Sequence, residues 1–237
     1  SILILKFSGC DPFPRLEGNK RPPMSNEDLR PRVSVIVPNY MHGRFLEERI
    51  QSVLCQSFQD FEIILLDDAS TDNSKDIIEI YRANPKVTHV HFNETNSGKP
   101  FLQWKRGMKL AQGALVWIAE SDDVAKPEFL KVMVQAFDQY PDLVLATVMP
   151  EYIDKEGKAI GLVEEKFQGT YDGIEVLING LGYRNCIRNA SAVVFDKQVG
   201  MAYIDCIIDR RYSGDWHFWA LMAMHPGGRV HFNPMCL

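Results

Sequence analysis

Five apolar runs, each followed by a segment of helical period or a turn, constrain this chain more than any other feature. They read "RVSVIVPNY", "FEIILLDD", "VTHVHF", "ALVWIAE" and "LVLATVM". The first, rich in β-branched residues and stopped by Pro38, shows no polar–apolar alternation, so it predicts a strand covered on both faces, as in a parallel sheet. Between the runs, "GRFLEERIQSVLCQSF" sets Phe45, Leu46, Ile50, Val53 and Leu54 at helical spacing. "STDNSKDIIEIYRAN" opens on Ser/Thr/Asp start signals. "FLQWKRGMKLAQ" predicts a third helix, and "PEFLKVMVQAFDQY" a fourth with Pro127 in its first turn. Alternation of this kind predicts right-handed βαβ units around a mostly parallel, nucleotide-fold-like sheet.

After Met149 the alternation loosens. "EYIDKEGKAIG" predicts a turn between short strands, "DGIEVLIN" a short helix, "SAVVF" a strand and "GDWHFWALMAMH" an aromatic-rich helix. This second half is expected to extend the same domain over one rim of the sheet. Residues 1–31, with five prolines after Cys10, predict a linker or N-terminal arm and leave 32–237 as the ordered domain.

A net charge of −5 argues against broad electrostatic binding to nucleic acid or to an anionic membrane surface. The five cysteines are scattered and never form a C-x-x-C pair, which predicts reduced thiols in a cytoplasmic protein rather than a zinc cluster. No apolar run has the length to span a bilayer. The expected location is cytoplasmic, with the inner membrane face reached only through partners or further segments. "NET" at Asn93 and "NAS" at Asn189 match the glycosylation sequon but carry no weight without a secretory signal.

Ligands of open α/β sheets bind beyond the carboxyl ends of the strands. Three polar clusters fall at such ends: "PNY", "DDAS" and "ESDD". A parallel sheet gathers them on one edge. Asp67 and Asp68 either cap and turn the chain before the next helix or accept hydrogen bonds from a nucleobase or ribose, with Tyr40 as a stacking face. Glu120, Asp122 and Asp123 repel one another at this density. They either cap the helix that follows or hold a hard cation, Mg²⁺ or Mn²⁺, that bridges a diphosphate. Asp215 opens the aromatic helix just after a glycine and is either its cap or a general base held against apolar walls. "GKP" at 98–100 lacks the spacing of a phosphate loop. Lys99, Lys105 and Arg106 read as a solvated helix face, and Trp104 and Trp117 as core. A nucleotidyltransferase would need a glycine-rich loop after the first strand, and "PNYMHGRF" does not supply one.

Taken in order, "VSVIVPNYMHGRFLEERIQSVLCQSFQDFEIILLDDASTDNS", "NSGKPFLQWKRGMKLAQGALVWIAESDD" and "GDWHFW" closely resemble the family 2 glycosyltransferases of GT-A fold, over about residues 32–232. The "QW" to "WIAESDD" wording is similar to a bacterial subgroup found inside longer polysaccharide-assembly proteins. The resemblance implies a GT-A-type sheet flanked by helices, with a donor-nucleotide half at 32–123 and an acceptor-side extension at 124–237. It implies inverting transfer of a sugar from a nucleotide donor, usually a UDP-sugar, to a glycan or other hydroxyl acceptor. Pro38 and Tyr40 match the first donor-binding segment and Asp68 the base-holding position. Glu120-Ser121-Asp122 matches the D-x-D motif, with Ser121 on the donor, Asp122 as direct ligand of Mn²⁺ or Mg²⁺, and Asp123 beside it. Asp215 matches the catalytic base, and the metal acts as Lewis acid on the departing diphosphate. Two departures stand out: glutamate opens the metal motif, and "FNPMCL" ends before the basic segment usual in the family, which reads as C-terminal truncation. The alternative is a non-catalytic nucleotide-sugar-binding or assembly module working with further domains of one polypeptide. Homo-oligomerisation is left open.

Overall fold

Every residue of Val33–Asn39 (β1) is buried, as an apolar run without alternation demands. The computed structural model describes residues 30–154, 158–162, 166–210 and 212–236. Most of the expected arm, residues 1–29, lies outside the described residues. From β1 the chain continues through α1 (Gly43–Leu54), β2 (Phe61–Asp67), α2 (Ser74–Tyr81), β3 (Val87–Phe92), α3 (Pro100–Leu110), β4 (Leu115–Ile118), α4 (Phe129–Gln139) and β5 (Leu143–Met149). These are the elements that the periodicities predict. The second half comprises a hairpin of β6 (Glu151–Ile153) and β7 (Ala159–Leu162), then β8 (Gly169–Asp172) and α5 (Gly173–Val176). It goes on through a π-helical turn at Leu177–Leu181, β9 (Val193–Asp196), α6 (Lys197–Tyr203), α7 (Gly214–Ala223) and β10 (Arg229–Cys236).

Among the described residues, eight strands form one sheet in the order β3-β2-β1-β4-β9-β5-β10-β8. The first four are mutually parallel. β9 enters between β4 and β5, antiparallel to both; β10 runs parallel to β5, and β8 closes the far edge antiparallel to β10. The sheet is therefore mixed and mostly parallel.

The second half departs from expectation. Rather than covering one rim, it supplies three strands of the main sheet, one of them near its centre. Val193, Val194 and Phe195 are completely buried, and the pairing of β9 protects the backbone groups that β4 and β5 would otherwise leave as open edges.

Successive side chains on a strand face opposite ways, so β1 feeds two cores. Val35 and Val37 join Leu46, Ile50, Trp117 and Phe129 under α1, α2 and α4. Ile36 joins Trp104, Phe195, Phe218 and Trp219 under α3, α6 and α7. α3 presses close to β1 because Gly107 presents no Cβ to Ile36. Among the described residues no helix is long and apolar enough to cross a membrane.

Candidate active site

Because β2, β1 and β4 are adjacent and parallel, the segments that follow them leave the sheet side by side. Asn39 closes β1 opposite Asp67, and its Nδ2 donates to Asp67 Oδ2 at 2.8 Å. Asp67 Oδ1 accepts from the Ser70 amide at 2.8 Å, so this aspartate shapes the turn after β2. Asp68 does different work. Its Oδ1 accepts from Asn93 Nδ2, from the Ser97 amide at 3.0 Å and from Gln103 Nε2 at 3.0 Å, and its Oδ2 from the Ser97 hydroxyl at 2.7 Å. Each carboxylate oxygen offers about two acceptor positions; Oδ1 is fully taken, and Oδ2, with one bond, is the oxygen that still has room for a further donor. Neither aspartate caps α2, whose preceding turn is held by Asp72 through bonds from the Ser74 and Gly43 amides. Asn39 Oδ1 and Gln103 Oε1 are buried acceptors without a hydrogen-bond partner among the described residues.

Pro38 is buried within β1, opposite Leu66. Tyr40 stands 47% exposed at the rim. The loops around it hold Met41 at φ +59° and Ala69 at φ +63°, a left-handed conformation that costs a non-glycine residue about 1–2 kcal/mol. Non-glycine residues held this way gather at functional sites.

The acidic segment after β4 is held from three sides. The backbone N–H of Glu120 donates to Ser191 Oγ at 3.0 Å, and its carbonyl accepts from Arg49 Nε at 2.8 Å. Its carboxylate Oε1 accepts from the Trp104 indole at 2.9 Å. Ser121 is buried and shares a 2.9 Å hydrogen bond with His42 Nδ1. Asp123 Oδ2 accepts from Asn189 Nδ2 at 3.2 Å and lies 3.8 Å from Arg49 Nη2. Asp122 is exposed and has no hydrogen bond or ion pair among the described residues. None of the three caps α4, which begins after Glu128 without a side-chain cap.

Burial dominates the electrostatics of this corner. Glu120 keeps some contact with solvent, yet the surrounding protein raises its pKa to about 7. The Trp104 bond opposes that rise, and the charges of Asp122 and Asp123 add to it. Arg49 is fully buried on α1, and desolvation lowers its pKa to about 10 against the pull of Asp123, Glu120 and Asp122. Among the described residues, no three His, Cys, Asp or Glu side chains converge tightly enough to hold a metal ion by themselves.

Asp215 is the second residue of α7 and half-buried. It does not cap the helix: Ser213, at φ +52°, precedes α7 and no side-chain cap bond is made. Its carboxylate has no hydrogen bond or ion pair among the described residues. α7 seats itself by packing Gly214 on Phe101, Phe218 and Trp219 on Trp104, with ring centroids 6.1 and 6.0 Å apart, and by the 2.7 Å bond from Trp216 Nε1 to the Leu181 carbonyl. Trp104 thus touches both the acidic corner and the helix that carries Asp215. A Cβ on Gly214 would collide with the Phe101 ring. Gly214→Ala is therefore expected to cost about 1–3 kcal/mol of stability and to displace Asp215. Urea unfolding measures the first effect, and the loss of Trp104 fluorescence burial on the α7 side reports the second.

A family model described as glycosyl transferase family 2 matches residues 34–188. The chain belongs to glycosyl transferase family 2. An uncharacterized glycosyltransferase of Nostoc sp. is 29% identical over 194 residues, which are 80% of this chain and 56% of the relative. The poly(ribitol-phosphate) beta-N-acetylglucosaminyltransferase TarS of Staphylococcus aureus is 36% identical over 122 residues, 50% of this chain and 21% of TarS. This family 2 chain thus spans only part of the relatives it matches. In fold it is similar to S. aureus TarS 1-349 in complex with UDP, with a TM-score of 0.66 and 24% identity over 85% of this chain and 57% of that one. It is also similar to the mannosyltransferase PcManGT of Pyrobaculum calidifontis in complex with GDP-Man and Mn²⁺, with a TM-score of 0.61 and 19% identity over 88% of this chain and 56% of that one.

Several residues that shape this corner of the family 2 chain carry no distinctive sequence signal. Asn93 and Asn189, notable in the sequence only as sequons, bond Asp68 and Asp123. Arg49 falls three residues after Leu46 and one before Ile50, a charge on the apolar stripe of α1; that misplaced charge is the one clue that could have found it. Lys99 and Lys105 pair with Asp209 and Asp205, and Arg106 donates to Asn93. The lysines tie α3 to the segment after α6 instead of forming a merely solvated face.

Proposed function

We propose that this domain transfers a sugar from a nucleotide-diphosphate donor, UDP-linked, to a hydroxyl of a glycan acceptor, with inversion and with Mn²⁺ or Mg²⁺ at the acidic corner. The observation that carries the reading is the Asp68 cradle and the exposed Asp122 at neighbouring parallel strand ends, with Asp215 on a helix packed against Trp104, neither Asp122 nor Asp215 having a side-chain partner among the described residues. The UDP complex of TarS and the GDP-Man and Mn²⁺ complex of PcManGT support a nucleotide-sugar donor and a divalent cation. The poly(ribitol-phosphate) for which TarS is named supports a bacterial polymer as acceptor.

The donor set fits the cation. Carboxylate oxygens are hard ligands, and Mg²⁺ is commonly held by one or two of them together with substrate phosphates. That pattern suits a corner where the protein alone does not enclose an ion. Asp122 would be the direct ligand, flanked by Asp123 and by Glu120 through Oε2, the oxygen not taken by Trp104. Bound there, the cation supplies Lewis acidity to the departing diphosphate. Pro38 shapes the strand end that presents Tyr40, whose ring stacks on the base. Asp68 Oδ2 accepts a base N–H, and Ser121, steadied by His42, lines the donor. Asp215 accepts the proton of the acceptor hydroxyl as that oxygen attacks the anomeric carbon. One base opposite one leaving group gives a single displacement.

Calorimetric titration of UDP tests this reading. Binding is expected with Mn²⁺, lost in excess EDTA, and weakened at least about tenfold by Asp122→Ala. UDP binding that is equal with and without metal would remove the cation from the mechanism.

A further inference from the structure

The acidic corner already contains a cation that the proposed reaction does not use. Arg49 is completely buried beneath residues 120–123. Its Nε donates to the Glu120 carbonyl at 2.8 Å, while Nη1 and Nη2 have no hydrogen-bond partner among the described residues. A guanidinium buried with idle donors is costly unless nearby charge compensates it. The compensation available is the field of the three carboxylates, with Asp123 Oδ2 at 3.8 Å, and the Trp117 ring with its centroid 5.5 Å away. The same attraction works in reverse, since Glu120, Asp122 and Asp123 would otherwise face one another without relief. The 3.8 Å contact is an ion pair without a directional hydrogen bond, so Asp123 can rotate toward another cation without breaking a bond to Arg49.

We propose that Arg49 is a permanent counter-cation of the acidic corner, holding the carboxylates assembled before donor and metal arrive and competing with the divalent cation for Asp123. The inference rests on the reading of this corner as a cation site. It makes Arg49 a positioning residue that sets metal affinity, not a catalytic one.

Two variants separate its charge from its hydrogen bonding. Arg49→Gln keeps a donor for the Glu120 carbonyl and removes the charge; Arg49→Lys keeps the charge on a different donor. Mn²⁺, titrated calorimetrically in saturating UDP, is expected to bind Arg49→Gln at least about threefold more tightly than Arg49→Lys or the parent chain, because the competing charge is gone. Mn²⁺ is also expected to raise the Tm of Arg49→Gln more than that of the parent. Folded Arg49→Gln recovered in Mn²⁺ but not in EDTA would support the proposal equally. Equal Mn²⁺ affinity in the two variants, or a loss of folding in Arg49→Gln that Mn²⁺ leaves unchanged, would overturn it while leaving the cation reading intact. A parent chain that binds no Mn²⁺ even with UDP present would overturn both.

Discussion

Asp215→Asn is expected to lower sugar-transfer turnover by about 10²–10⁴-fold, the usual contribution of a positioned general base, while the affinity for UDP stays within about twofold of the parent. The split follows from where Asp215 sits. It belongs to α7, which is seated by packing on Phe101 and Trp104, whereas Asp68 and the acidic segment follow β2 and β4. Its carboxylate has no hydrogen bond or ion pair among the described residues, so the amide breaks no network. The structural cost is limited to weaker interaction with the N-terminus of α7, about 0.3–1 kcal/mol. Rates of UDP release with an acceptor glycan, measured beside calorimetric UDP affinities, check both halves. Turnover within tenfold of the parent would move the base elsewhere. A parent chain that binds UDP but never turns over would match a nucleotide-sugar-binding module.

Glu120→Gln is expected to make the metal-free domain more stable at pH 8 and to leave it nearly unchanged at pH 4.5. The native pKa of Glu120 lies at about 7 against an ordinary value of 4.5. Between those limits the folded chain keeps a proton that the unfolded chain has released, so stability falls as the pH rises through this window. The fall from this one group is of the order of 3 kcal/mol, because each pH unit between the two values contributes about 1.4 kcal/mol. Glutamine mimics the protonated acid, can still meet the Trp104 indole through its carbonyl oxygen, and removes the fall. Urea unfolding in EDTA at pH 4.5, 6 and 8 measures it, and parallel profiles for the two proteins would sink the prediction. Trp104→Phe is the companion variant: losing the indole bond pushes the Glu120 pKa further up and deepens the loss at high pH.

The sequence by itself determined the strand and helix periods from β1 to β5, because periodicity records which face of each element meets the core, and that is settled within a few residues. It also determined that "PNY", "DDAS" and "ESDD" share one edge, since parallel strands end together. It could not decide between cap and site at Asp68, Asp122 or Asp215, because both readings place an acid at the same point before a helix. Tertiary structure removed the cap reading, since among the described residues none of the three caps a helix, and Asp68 is instead encircled by Asn93, Ser97 and Gln103. It alone threaded β9 between β4 and β5. It alone set Arg49 against the carbonyl of Glu120, 71 positions away. Both depend on which distant segments a closed core brings together, and no local pattern of residues encodes a partner that far along the chain.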